Sequence, residues 1–294
     1  MESYNSTAVF HLPGIFEVSK IYVTLLDIIE KDPSVLKDNV VIGSIYGAPG
    51  GIWNGGRLQT DLMYRQEDLK HVRDFMEHHQ IPTRFTCTNC LLTEDHVTDA
   101  YWNMILDVFN TGHNEIICNS EILENYLRNK YGNNYRYISS TTKTLTDKYD
   151  QAREIDKDYF LTVLDYSHNK DIDFLQSIEH KEKCELLCNA VCKPNCPNRL
   201  KHYEEISRNQ LTYTTSNEYD NCGGGFEWFY QAQKNSCYIS PEDINNIYLP
   251  MGFKNFKLEG RNANPLDLIE ILMAYLVKDS RALEVRSQLQ KAIW

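Results

Sequence analysis

Six cysteines crowd between positions 184 and 237 of a chain that has nine in all. Thiolates are soft ligands for iron and zinc, and clustered thiols in a reducing compartment point to metal or redox chemistry rather than to disulfides. Cys192 and Cys196 form a C-x3-C pair in a loop with Pro194 and Pro197, directly after a predicted strand. Cys222 precedes Gly223, Gly224 and Gly225, which let backbone approach a bulky inorganic centre. Cys237 stands just ahead of Ser240-Pro241, a capped helix start. These four are the candidate metal ligands, with Cys188 in reserve. Four thiolates are the usual complement of a [4Fe–4S] cluster and serve structural zinc equally well, so the residues leave both open. Cys118, Cys184 and Cys188 lie in apolar runs and read as buried core thiols. Cys87 and Cys90 make a C-x2-C pair, but no second pair follows at zinc-finger spacing.

Hydrolytic chemistry has less support. Neither G-x-S-x-G nor HExxH occurs, and His78, His79 and His202 read as helix-surface histidines. Missing motifs do not dispose of proteolysis, because triads are set by geometry rather than by order. The run Ile52-Trp53-Asn54-Gly55-Gly56-Arg57 closes a glycine-rich loop that starts at Gly47. Asn54 and Arg57 there suit an anion; alternatively the glycines make a tight turn while Trp53 caps the fold. Glu259 and Arg261 either pair with each other to order a rim or bind substrate, Arg261 favouring a planar partner such as a carboxylate. Arg199, three residues after Cys196, is placed to tune a cluster by charge or hydrogen bonds. Tyr46 and Asp165 are site candidates by position alone. The charged stretch Lys201–Glu205 reads as a solvated helix face.

The elements that must position these residues alternate. Strand-like runs cover Thr7–Leu12, Val40–Tyr46, Pro82–Thr86, Glu115–Cys118, Arg136–Ser139, Tyr159–Leu164, Cys184–Asn189 and Asn255–Glu259. Helical stripes lie between them: Ile21, Leu25, Ile28 and Ile29; Leu69, Val72, Phe75 and Met76; Val97, Tyr101, Met104, Ile105 and Val108. Ser120 is an N-cap for a helix reaching about Tyr131, with Gly132 as its stop, and Asn264-Pro265 is another capped start. Eight strands alternating with helices predict an α/β fold, a single (β/α)8 TIM-like barrel over residues 1–294 with a cysteine-rich insertion around 188–237. A doubly wound open sheet is the alternative. In such a barrel chemistry sits at the carboxyl ends of the strands.

Near the carboxyl end the chain reads Lys257-Leu258-Glu259-Gly260-Arg261, preceded by Tyr238-Ile-Ser-Pro-Glu-Asp-Ile and Asn189-Ala190-Val191-Cys192, and on these runs it resembles the collagenase-like peptidase family U32. Lys257-Leu258-Glu259-Gly260-Arg261 matches that family's lysine–isoleucine–glutamate–glycine–arginine strand with one conservative change. Tyr238-Ile-Ser-Pro-Glu-Asp-Ile, with Ser240 and Asp243, is similar to its serine–x–aspartate–leucine helix start, though Asp243 falls one residue later. Asn189-Ala190-Val191-Cys192 is similar to its histidine–glycine–alanine–x–cysteine, with Asn189 in place of the histidine. The likeness is clear over residues 184–275. It implies a barrel carrying a four-cysteine iron–sulfur cluster, with Cys192, Cys196, Cys222 and Cys237 as ligands and Asn189 beside it. It also implies a redox, hydroxylase-type enzyme on an organic substrate, with zinc as the alternative metal and peptidase or a metal-stapled binding protein as alternative functions.

Composition bounds the partners. A hydrophobic fraction of 42% is enough for a large core, and no apolar run is long enough to span a bilayer. The first residues lack a basic-then-apolar signal pattern, so the expected location is the cytoplasm. A net charge of −11 argues against a large nucleic-acid substrate and toward a small-molecule or partner-presented one, while leaving room for local basic patches.

Overall fold

The computed structural model describes residues 7–56, 58–219 and 228–293. Eight strands are present: β1 (Ala8–Pro13), β2 (Val40–Gly47), β3 (Thr83–Cys87), β4 (Glu115–Cys118), β5 (Arg136–Ser139), β6 (Leu161–Val163), β7 (Cys184–Leu187) and β8 (Asn255–Lys257). They close in chain order into a parallel barrel, and the pairing of Val9 with Asn255 and of His11 with Lys257 joins β8 to β1. This is the (β/α)8 TIM-like barrel read from the sequence; closure rules out the open sheet.

Helices α1 (Ser19–Lys31), α2 (Gln66–His78), α3 (Ala100–Val108), α4 (Glu121–Tyr131), α5 (Lys148–Ile155) and α6 (Ile172–Ser177) each follow one strand. The long β7–β8 connection carries α7 (Arg199–Thr212), α8 (Trp228–Gln233), α9 (Pro241–Asp243) and α10 (Leu249–Met251), the last two joined by a π-helical turn, Ile244–Tyr248. Then α11 (Pro265–Leu276) and α12 (Asp279–Ile293) complete the ring, α12 lying against α1. Among the described residues no helix is long and apolar enough to cross a membrane.

Local chemistry sets these boundaries. The Ser120 side chain accepts from Leu123 N at the start of α4, and Gly132 ends the helix at φ 55°. Ser240 and Asp243 close a reciprocal capping box, and Asn264 accepts from Asp267 N. One helix starts later than its apolar stripe suggests. Asp99 caps α3 by accepting from Trp102 N, so Val97 lies ahead of the helix and the buried face is Trp102, Ile105, Leu106 and Val108.

Strand residues alternate between two environments, as the period of two requires. Phe10, Phe85, Cys87, Ile116, Cys118, Cys184, Leu186, Cys188 and Phe256 join the large core shared with the helices. Four of the nine cysteines are thereby accounted for as packing residues, including the reserve ligand Cys188, whose thiol lies near Leu186 O. Ile117, Ile138, Leu161 and Val163 form a separate apolar cluster inside the barrel. Most of the remaining interior positions are polar, and with Leu187 they make the site.

Candidate functional site at the barrel mouth

The lower interior layer is charged. Arg84, on β3, is completely buried. Its Nε donates to Glu115 Oε2 at 2.6 Å, its Nη1 to Glu185 Oε2 at 2.6 Å, and its Nη2 contacts His11 Nδ1 at 2.9 Å. A guanidinium only donates, so His11 Nδ1 accepts, and Nε2–H faces Asn255 Oδ1 at 3.3 Å. Burial, reinforced by Arg84, lowers the His11 pKa to about 4, leaving the ring neutral at pH 7. Burial alone would raise the Glu185 carboxyl, but the surrounding positive charge, Arg84 foremost, outweighs it and holds the group at about 2. Gly43 makes room for the imidazole. It falls at a break in register between β1 and β2, and a Cβ there would lie 2.8 Å from His11 Cε1.

Above this layer lies a cavity of about 70 Å³ at the carboxyl end of the barrel. Tyr46, Thr86, Ile117, Val163, Leu187 and Lys257 form its floor and walls. Thr88, Ser140, Thr142, Glu259, Arg261 and Tyr203 surround its rim. Lys257 Nζ sits 3.8 Å from the centroid of the Tyr46 ring and 3.7 Å from Glu185 Oε1, beyond hydrogen-bond length. Burial pulls its pKa down to about 7; Glu185 opposes the shift, and Arg84 and Arg261 add to it. The buried Thr88 hydroxyl has no hydrogen-bond partner among the described residues.

The glycine-rich loop over this mouth is a packed structure. Trp53 is buried, stacks on Trp102 with ring centroids 5.5 Å apart, and donates to His96 O. A Cβ on Gly55 would meet Asn89 backbone at 2.7 Å, so the close approach requires glycine. Asn54 donates to Leu58 O at 2.7 Å, leaving its amide engaged inside the loop. Arg57, the other anion-binding candidate, lies outside the described residues. Arg261 Nη1 donates to Thr86 Oγ1 at 2.9 Å and to Asn54 Oδ1 at 3.2 Å. The carboxylate that pairs with Arg261 is Glu17, at 3.6 Å, rather than Glu259. Glu259 instead accepts from Val191 N, and its main chain is bridged by Asn189, which accepts from Glu259 N and donates to Glu259 O. Asn189 thus holds the ends of β7 and β8 together.

Asp165 and Arg199 are partners. Their side chains form a buried ion pair, with the Arg199 guanidinium 4.6 Å from the Tyr166 ring centroid. Asp165 also accepts from Ser167 N and Oγ. The pair ties the start of α7 to the end of β6, and neither residue lines the cavity.

Two candidate ligand cysteines meet on the adjoining rim. Cys237 packs with Tyr166, Leu187 and Ala190, and Cys192 lies against the same patch. Asn235 Nδ2 donates to Ala190 O and Cys192 O, while Asn169 Nδ2 donates to Leu187 O and Cys237 O, all at 2.8 to 2.9 Å. Cys196 follows in the same loop, half-buried, its carbonyl accepting from Arg199 N. Cys222 lies outside the described residues. Among the described residues, only Glu30, His78 and His79 bring three ligand atoms within 4.8 Å of one another. Cys192, Cys196 and Cys237 do not form such a group of three.

No family model matches this chain. It is 25% identical over 274 residues to a Methanocaldococcus jannaschii protein named as an uncharacterized protease, covering 90% of this chain and 80% of the relative. The solved structure of the U32 peptidase Mk0906 superposes with a TM-score of 0.54 at 11% identity, covering 88% of this chain and 96% of that one. The likeness to that structure is one of fold.

In this barrel the residues read from the sequence separate by role. Lys257, Glu259 and Arg261 reach the mouth, as does Tyr46, whose hydroxyl donates to Leu258 O at 2.7 Å. His78 and His79 sit on α2 beside Glu30, away from the cavity lining. The stretch Lys201–Glu205 is a correction. Only Lys201 is fully exposed; Tyr203 faces the cavity, and Glu205 is buried, accepting from Ser216 Oγ, Glu218 N and Tyr219 N. Further along α7, Gln210 binds Thr60 N and O, and Ser207 binds Cys90 N, so the helix roofs the glycine loop. Strand position puts His11 and Arg84 at the carboxyl-end face, whereas they lie buried in the layer beneath the cavity; sequence reasoning misses Glu115 and Glu185 altogether. Their only signal is charge inside otherwise apolar strand runs.

Proposed function

We propose that this U32-like barrel is an oxidoreductase of the hydroxylase type. It acts on a small polar organic molecule in the mouth cavity, with a [4Fe–4S] cluster held by Cys192, Cys196 and Cys237 together with Cys222. One observation carries the reading: the Leu187 side chain belongs both to the cavity wall and to the apolar patch of Cys192 and Cys237. A cluster on that patch would lie one side-chain layer from the substrate. The all-sulfur donor set suits iron–sulfur ligation, with structural zinc as the alternative. When bound, the cluster would supply one-electron transfer. The chain's own residues orient the substrate: Thr86, Thr88, Ser140 and Thr142 line the cavity with hydroxyls, Lys257 offers an amine, and the roof of α7 limits water.

Anaerobic purification with iron and sulfide analysis tests this. The expected protein is brown, with absorbance near ~400 nm and about four irons per chain, lost in Cys192→Ser and Cys237→Ser. A colourless preparation with stoichiometric zinc would transfer the cysteines to a structural role. Cleavage of a peptide library without reductant would favour the peptidase reading that the relative's name supports.

A further inference from the structure

We propose that Lys257 is a nucleophilic amine that condenses with a small aldehyde or ketone in the mouth cavity to form an imine. The placement is the first argument. Lys257 lines the cavity, is 7% exposed, and is carried by a barrel strand rather than by a loop, so its amine is both reachable and fixed.

Charge is the second argument. The groups facing the amine are Glu185 from β7, Arg84 from β3, Tyr46 from β2, and Arg261 beyond the end of β8. Arg84 already occupies Glu115 and Glu185 through hydrogen bonds of 2.6 Å, and Arg136 also pairs with Glu115. Glu185 Oε2 is thereby engaged, while Glu185 Oε1 accepts no hydrogen bond among the described residues and lies 3.7 Å from Lys257 Nζ. A protonated Lys257 would be a buried cation beside two guanidinium groups, opposed by one carboxylate oxygen beyond hydrogen-bond length, and desolvation with like charge is the circumstance that activates amines for attack on carbonyl carbon. The depressed pKa agrees with this arrangement.

The third argument is the unpartnered Thr88 hydroxyl in the same cavity, a donor with nothing to bind among the described residues. A carbonyl or alcohol oxygen would satisfy it.

The step balances without an oxidant or reductant. The nitrogen lone pair forms a C–N bond to the carbonyl carbon. The carbonyl oxygen leaves as water with the two amine hydrogens, and a C=N bond remains. This inference shares only the mouth cavity with the oxidoreductase reading and does not involve the cluster.

The test is reductive trapping. Anaerobically purified protein is incubated at pH 7 with glyoxylate and cyanoborohydride, and labelled lysines are mapped by peptide mass spectrometry, in native protein and in urea. A neutral fraction near one half, against roughly one in a thousand for an ordinary lysine, predicts labelling of Lys257 at least about 10-fold faster than of exposed Lys254, even after discounting for access. Unfolding should erase the preference, and Lys257→Arg should remove the fast site. Should that variant not fold, the native-against-urea comparison decides by itself. Labelling of Lys257 no faster than Lys254, or a preference that persists in urea, would overturn the proposal. Metal content is measured separately, so loss of the cluster reading and loss of this one are distinguishable.

Discussion

Replacing Lys257 by methionine should make the protein more stable. In the unfolded chain the amine titrates near its ordinary 10.5, whereas in the barrel it titrates at about 7. The folded pKa of this base is lowered, so the unfolded state binds more protons between these values, and stability rises with pH across that window. The penalty is complete below pH 7 and gone above about 10.5. At pH 7 the folded amine is half protonated and the unfolded one fully so, which costs roughly 4 kcal/mol. Methionine keeps an unbranched chain over the Tyr46 ring and carries no charge. No hydrogen bond to Glu185 is lost, since the nearest oxygen is 3.7 Å away. Lys257→Met should therefore exceed wild type by about 3–4 kcal/mol at pH 7, and the gap should shrink by about 1.4 kcal/mol per pH unit as pH rises. Urea denaturation of both proteins from pH 6 to 10, compared through their midpoints at a common slope, measures it. A variant less stable than wild type at pH 7, or a gap independent of pH, would refute the reasoning about the buried amine.

Two further outcomes follow from the layer below. Arg84→Met leaves Glu185 and Glu115 without their 2.6 Å partner and should cost about 3–5 kcal/mol in the same denaturation assay at pH 7; an unchanged midpoint would contradict the network. His11 folds as the neutral ring with its pKa lowered from 6.5 to about 4, so its contribution is present above pH 6.5 and is lost as pH falls toward 4, by about 3 kcal/mol. His11→Asn should flatten that part of the acid limb, and an unaltered slope would show that the imidazole is not the group responsible.

The barrel was legible because its signals are local. Strand periodicity and caps such as Ser120, Ser240 and Asn264 depend on a few neighbouring residues, and each of the eight strands lies within the run read for it or within one residue of it. Glu259 and Arg261 also reached the mouth as expected, whereas Lys257 was read only as part of the last strand. Pairings between distant residues were not legible. Asp165 with Arg199, Arg261 with Glu17, and Arg84 with Glu115 and Glu185 join strands and loops far apart in sequence, and one-dimensional spacing carries no record of them. The cysteines show the same division. Membership of an apolar strand run was enough to assign Cys184 and Cys188 to the core, whereas the meeting of Cys192 with Cys237 depends on Asn235 and Asn169 bridging backbone segments.

The position of the charges argues for chemistry rather than for stability. A barrel interior filled with branched apolar side chains would hold the strands as well as this one does, and Ile117, Ile138, Leu161 and Val163 show that half of this barrel is built that way. The other half carries Arg84, Glu115, Glu185, His11 and Lys257, where desolvation opposes every ionised group. Of these, Arg84 and the two glutamates compensate one another and the imidazole is neutral. Lys257 faces a single carboxylate oxygen, Glu185 Oε1, at 3.7 Å, longer than a hydrogen bond, and it lies next to the cavity. An amine kept at a cost to folding, supported from beneath by a rigid ion network and open only toward the mouth, is what a group reserved for substrate requires.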